Sequence, residues 1–322
     1  MYVPGWKLWL LVLCLVLTVG EGASGSGGAI GGSLVFDAVP DQPGAVGWQL
    51  FIANLESGRV GRLVGIGGAV SPSWSPDGRE IVFERAVTAT AALSGCDSPA
   101  CAQIWRVDRN GTHRRRLTSL RRRSESPDWS SSGRIAYVRW FPSPLAEIES
   151  DVYTIESNGQ GLRRLTDAKG ADEDPAWSPD GQKIAFDSDR DDPGGDAHLY
   201  VMNSDGSDQQ ELTATDGVSD VRAAWSPDGT RIAFWRFNGT VDSIVVINAD
   251  GTGERTLTGP RGAAADPTWS PDGEWIAYTR ETDNLDSPEI WVMRSDGSQK
   301  RKLVNGPFGQ VIEVDWTATT GP

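Results

Sequence analysis

Histidine is almost missing from this chain. Only His113 and His198 occur among 322 residues, so a Ser-His-Asp relay or a histidine-rich metal cluster has no material to build from. Cysteine is nearly as scarce, with Cys14, Cys96 and Cys101 alone, and a single Cys-x-x-x-x-Cys pair without a second Cys/His pair is not a zinc site. No serine sits in a Gly-x-Ser-x-Gly pattern, which excludes the nucleophile elbow of a hydrolase domain. Positive charge is short as well. Thirty Lys and Arg face 44 Asp and Glu, and the net charge of −14 argues against a general binder of nucleic acid or anionic membranes. The one basic stretch, His113 to Arg116 with Arg121 to Arg123, reads as charge on an outer edge strand and its following loop that discourages edge-to-edge pairing; its sharper reading is a docking patch for an acidic partner.

Long apolar runs are absent apart from one. Leu8 to Val19, interrupted only by Thr18 and preceded by Lys7, is too short for an ordinary membrane span and suits a signal-peptide core. Small residues at Gly20, Gly22 and Ala23 give a signal peptide over residues 1–23, followed by a Gly/Ser-rich linker over 24–32; an uncleaved N-terminal anchor is the alternative. Cys14 follows Leu13 inside the apolar run, not a small residue, which does not suit a lipoprotein site. Cys96 and Cys101 remain after cleavage, and an even pair in an exported chain is expected to form a local disulfide.

Tryptophan, by contrast, recurs on a beat. Trp74, Trp129, Trp177, Trp225, Trp269 and Trp316 each close a strand-like run and lead into a turn, at steps of 55, 48, 48, 44 and 47 residues. A period in that range marks a repeat architecture. In the unit that begins at Asp174, Trp177 precedes Ser178-Pro179-Asp180-Gly181, whose residues suit a type I turn. Lys183 to Phe186 follows as a second strand, His198 to Met202 as a third and Gln210 to Thr213 as a fourth, with Asn203-Ser204-Asp205-Gly206 turning between the last two. Four short antiparallel strands per unit read as one propeller blade. No stretch keeps a helical period. Five units are complete; the sixth has its second to fourth strands at Leu34–Phe36, Trp48–Ile52 and Arg62–Val64, and its first strand at Val311–Trp316, at the far end of the chain. The expected fold is therefore all-β: a six-bladed β-propeller over residues 33–322, with four antiparallel strands per blade and a last blade closed by N- and C-terminal strands. The anchor tryptophans and Trp275 are expected in the core, while Trp140 and Trp235, where loops begin, are better placed to meet a ligand.

The pattern Asp-x-Pro-Ala-Trp-Ser-Pro-Asp-Gly, then Ile-Ala-Phe, then a Tyr-Val-Met-Asn-x-Asp-Gly run and Leu-Thr resembles the WD40-like repeats of TolB-type six-bladed propellers, from about Ser33 to Trp316. The resemblance implies the fold and an exported protein. The TolB protein carries an α/β domain ahead of its propeller, where this sequence has only Glu21 to Gly32; a propeller without that domain is expected.

Chemistry has to come from departures from the repeat. The Ser-Pro-Asp-Gly aspartates Asp77, Asp180, Asp228 and Asp272 read as turn formers, because the second unit has Ser132 there. A set just before the first strands, Glu125, Asp172, Glu173, Asp174, Asp220, Asp266 and Glu313, is expected to crowd one mouth of the central channel and attract cations or a basic peptide. Asp187, Asp189 and Asp191 alternate on a segment between two strands and suggest calcium, although Asp192 and His198 break the EF-hand pattern. No other cofactor is expected. The reading is a non-enzymatic, exported binding or scaffold propeller, secreted or in the periplasm or cell envelope. It is expected to be monomeric, without membrane insertion once the leader is removed, and to recognise a protein, peptide or glycan of the cell envelope. The alternative is a propeller-type lyase or hydrolase acting on carbohydrate with the channel-mouth carboxylates.

Overall fold

The Ser-Pro-Asp-Gly turn shows how each blade begins. In the computed structural model, Ser178 Oγ donates to Asp180 Oδ1 at 2.6 Å and accepts from Lys183 N at 2.9 Å, while Gly181 N donates to Ser178 O at 2.8 Å. Gly181 adopts φ +67°, and a Cβ there would lie 2.9 Å from Ser131 Oγ of the preceding blade, so glycine serves both the turn and the blade spacing. Ser226/Asp228 and Ser270/Asp272 repeat the arrangement; Ser130 and Ser132 achieve it with two hydroxyls 2.7 Å apart.

The structure describes residues 17–19, 30–40, 47–63, 67–88, 100–119, 122–141, 149–191, 195–240, 242–259, 263–281, 289–305 and 308–318. Within them, the first strands of blades one to five are Ala69–Trp74, Ser124–Trp129, Asp172–Trp177, Ser219–Trp225 and Ala264–Trp269. Each heads a four-stranded antiparallel sheet. The Leu-Thr ends fasten the outer strands to their neighbours. Thr118, Thr166, Thr213 and Thr258 accept the third-strand N–H of Ile104, Val152, Leu199 and Ile244 at 2.8–3.0 Å. Arg115 and Arg116 form the exposed outer strand of blade one.

The sixth blade closes the ring as expected. Phe308–Thr317 pairs antiparallel with Ser33–Pro40, setting Leu34 against Trp316 and Phe36 against Val314. Gln49–Asn54 and Arg59–Arg62 complete the four strands. Two short segments extend this sheet: Leu17–Val19 pairs between Arg59–Arg62 and Val304–Asn305. Those three residues are the part of the expected leader that falls among the described residues. Cys96 and the Cys101 side chain lie outside them, and so does the expected disulfide.

The core lies between blades. Ala233, Ile244 and Leu257 of blade four meet Ala264, Trp269 and Tyr278 of blade five. Trp225 and Trp269 donate their indole N–H to Ala176 O and Ala224 O at 3.1 Å, each tying its blade to the one before, and Trp316 donates to Gly31 O at 3.0 Å, tying the two chain ends within blade six. Trp275 is 1% exposed and belongs to the core. Burying such rings adds to the cohesion across blades, on the order of 3–5 kcal/mol per tryptophan lost to alanine.

Candidate functional site

Every first strand is interrupted by a bulge three residues before its anchor tryptophan. The register slips at Val70/Ser73, Glu173/Ala176, Val221/Ala224 and Ala265/Thr268, and at the matching place in blades two and six. A bulge bends its strand and re-aims one side chain. Here the bulge residues adopt positive φ: Ser71 51°, Ser126 47°, Asp174 43°, Arg222 55° and Asp266 51°. The sixth position is Glu313. These six residues form a ring around the channel.

One cation holds the ring. Arg222 Nη1 lies 2.7 Å from Asp266 Oδ1 and 2.6 Å from Glu313 Oε1, and its Nε lies 3.4 Å from Asp174 Oδ2. Three carboxylates from three other blades thus converge on one guanidinium. Burial works to lower the arginine's pKa, but the fields of Asp266, Glu313 and Asp174 outweigh it and raise the value well above normal. Burial raises Asp266 despite Arg222, and it pushes Glu313 up to about 7, with Arg222 opposing and Asp266 and Asp174 reinforcing.

The ring divides the channel into two cavities. On the side of the Ser-Pro-Asp-Gly turns lies a funnel of about 520 Å³, walled by the six anchor tryptophans and by prolines such as Pro76 and Pro179. Asp128 and Asp315, also on its wall, are straps between blades: Asp128 accepts Ser73 Oγ at 3.0 Å and Trp177 N at 2.6 Å, and Asp315 accepts Trp74 N at 2.7 Å. Burial pushes Asp315 up to about 7.

The other side holds a smaller, acidic chamber of about 290 Å³. Its wall carries Asp37, Glu84, Glu125, Glu173, Asp174 and Glu313, with Arg123 and Arg222 as the cations. Arg123 pairs with Glu125 and stacks over Trp140 at 4.8 Å. Burial is the first cause that raises Asp37, Glu84 and Glu173. Asp37 and Glu84 rise well above the ordinary range, with Glu313 adding to the first and Glu125 and Glu313 to the second; Glu173 reaches about 7 with help from Asp174 and Glu125. Asp37 is 0% exposed, its Oδ1 accepts Glu313 N at 2.7 Å, and its Oδ2 has no hydrogen-bond partner among the described residues.

Of the acids expected at the mouth, Glu125, Asp174, Asp266 and Glu313 come to the channel, and Glu173 with them. Asp172 and Asp220 do not. They precede the Glu125/Glu173 register by one residue, and successive side chains of a strand point to opposite faces. Asp172 is buried against Ser188 Oγ at 2.5 Å and Arg190 at 2.8 Å, and Asp220 against Arg236 at 2.6 Å. The expected calcium set does not converge either. Asp187 lies in the strand Lys183–Ser188 and accepts the backbone N–H of Arg222 at 3.3 Å, Asp189 accepts Ala171 N at 2.6 Å, and Asp191 accepts Tyr200 OH. The three turn to three partners, and among the described residues no group of three His, Cys, Asp or Glu side chains is arranged to hold a metal ion. Trp140 lines the chamber, whereas Trp235 packs against Phe237 with ring centroids 4.9 Å apart. His113 and His198 pair with Asp108 and Glu211 on the blades.

Four contributors went unforeseen, one of them Arg123, which was expected with the outer-strand charge but reaches the chamber beside Glu125. Asp37 and Glu84 follow the second-strand aromatics Phe36 and Phe83, the same register that brings Asp187 inward after Phe186. Arg222 stands three before its tryptophan, where the other units have serine or an acid. Aligning the units on the tryptophan would have exposed both.

Residues 144–320 match the family model described as the TolB beta propeller domain. No curated protein matches the sequence. Solved structures share the fold at low identity. TolB from Acinetobacter baumannii superposes with a TM-score of 0.70 at 22% identity, over 90% of this chain and 67% of that one. Kuenenia stuttgartiensis hydrazine synthase gives 0.69 at 16%, over 92% and 47%, and the oligogalacturonate lyase from Vibrio parahaemolyticus gives 0.54 at 14%, over 80% and 71%. At these identities the likeness is one of fold alone.

Proposed function

The chain belongs to the TolB beta propeller domain family, and from that premise we propose that it is an exported, non-enzymatic binding module that holds a basic segment of a partner protein at the acidic mouth of its channel. The observation that carries this is the concentration of carboxylates on one side of the Arg222 ring. Six acids on its wall stand against two arginines, Arg123 and Arg222, and an excess of one sign in a cleft draws in the opposite charge. That charge favours a basic polypeptide over a neutral or acidic glycan. The ring itself is spanned by Arg222, so a ligand is held at the mouth and not threaded through. The turn aspartates and both histidines are engaged in local structure, which leaves the channel as the place where the repeat departs from itself.

The test is capture from a cell-envelope extract on the immobilised full chain, followed by hydroxyl-radical footprinting of the complex. Protection of Trp140 and its neighbours at the acidic mouth is the expected result. A footprint confined to the outer strands, with the mouth unprotected, rejects the proposal. Turnover of an oligogalacturonate that disappears in Asp174→Asn while the fold persists would establish the enzymatic reading in its place.

A further inference from the structure

The acidic chamber is not electrically closed. Arg222 is committed to Asp174, Asp266 and Glu313, and Arg123 to Glu125. Among the described residues, no ion pair within 4 Å reaches Asp37, Glu84 or Glu173, and only Glu84 feels the more distant charge of Arg123. Glu173 has only a long contact from Ser150 Oγ at 3.4 Å, and the Ser126 N–H serves Glu84. Asp37 is the sharpest case. It is wholly buried, one oxygen is held by Glu313 N, and the other faces no donor among the described residues. A buried carboxylate oxygen left without a donor costs about 1–3 kcal/mol, more if charged, and a ligand that brings a donor recovers that cost.

The chamber's shape narrows the ligand. About 290 Å³ falls just below the range of sites that hold drug-sized molecules, which run from about 300 to 1,000 Å³. The carboxylates are spread over opposite walls and not gathered as metal ligands: calcium needs roughly 6–8 oxygens at about 2.3–2.6 Å, and no such group exists among the described residues. A nitrogen cation with several N–H donors on a carbon stem fits better. It can reach acids on separate walls, and Trp140, already stacked with Arg123, offers a flat apolar side to the stem.

We propose that the chamber bounded by Asp37, Glu84 and Glu173 is a receptor for one protonated aliphatic nitrogen, presented as a lysine or arginine side chain of the partner. This deepens the basic-segment reading above and rests on it. The funnel beyond Arg222 takes no part.

The experiment titrates the full chain, at constant ionic strength, with n-butylammonium chloride, with the blocked tripeptide acetyl-Gly-Lys-Gly-amide, with sodium chloride and with calcium chloride, read by isothermal calorimetry. Saturable one-to-one binding of both amines, with none for sodium, is expected. Glu84→Gln and Asp37→Asn each weaken it by about tenfold or more, and Asp180→Asn, a turn variant, leaves it unchanged. Asp37 is deeply packed, so Glu84→Gln alone decides the outcome if Asp37→Asn fails to fold. Amine binding no different from sodium, undiminished binding by Glu84→Gln, or binding of calcium without the amines overturns the inference. Binding of butylammonium without the tripeptide overturns the side-chain assignment. A captured partner that still footprints the mouth, and that neither butylammonium nor Glu84→Gln displaces, sinks the chamber alone and leaves the mouth reading standing.

Discussion

Arg222 Nη1 stands 2.6 Å from Glu313 Oε1, although the two lie 91 residues apart in blades that are separated by a third. The contact crosses the channel, so it exists only when the ring is closed. Glu313 reaches it on the closing strand, and Arg222 reaches it because a bulge turns its backbone to positive φ. Closure of the propeller and charge balance in the channel are therefore one event.

Replacing Arg222 by methionine removes the guanidinium shared by Asp174, Asp266 and Glu313. Breaking a buried ion pair from one side costs about 3–5 kcal/mol. The orphaned acids relieve part of that cost by taking up protons, so the penalty is larger at about pH 8 than at about pH 5.5. Urea unfolding at the two pH values measures it; an equal penalty at both would mean that the acids do not feel the guanidinium.

The wild-type chain is expected to lose stability as pH rises through neutrality. Glu173, Glu313 and Asp315 are raised to about 7 from ordinary values of 4.5, 4.5 and 3.8. Carboxyls with raised folded values favour the native state fully below their unfolded pKa, and that contribution disappears as pH passes the folded one. Each unit is worth about 1.4 kcal/mol, so the total is on the order of several kcal/mol between about pH 5 and pH 8. The turn acid Asp228, lowered to about 2 first by Ser226 Oγ and then by Thr230 N–H, acts only below about pH 4 and does not offset this. A urea midpoint that climbs from about pH 5.5 to about pH 8.5 contradicts the assignment.

Deleting residues 311–322 strips Ser33–Pro40 of its partner strand and uncovers Leu34 and Phe36, both 0% exposed in the closed ring. The expected result is a broad, non-cooperative thermal transition in calorimetry. The single change Trp316→Ala should keep cooperativity and cost about 3–5 kcal/mol. A truncated chain as stable as the full one would refute closure by the two termini.

Within the turns, the hydroxyl matters more than the acid. Asp180→Ser should cost less than about 1 kcal/mol, because blade two already runs the same turn on Ser130 and Ser132. Ser178→Ala removes the acceptor of Lys183 N and the donor to Asp180, and should cost about 1–3 kcal/mol. Chemical denaturation of the two variants side by side checks the order; a larger loss for Asp180→Ser would restore a special role to the aspartate ring.

Much of this molecule was readable from spacing alone. The tryptophan beat, the Ser-Pro-Asp-Gly turns and the split sixth unit determine the blades, their number and the joining of the two ends, because turn chemistry and strand alternation act over a few residues and repeat with the sequence. The tertiary structure decided which acids share a space. Asp172 and Glu173 are neighbours in the chain, yet one is buried inside a blade and the other faces the channel; Asp37 and Glu313 are 276 residues apart and share a hydrogen bond. That sorting depends on bulges, on pleat and on which blades face one another across the axis, and an electrostatic field sums over distance in space, not over distance along the chain.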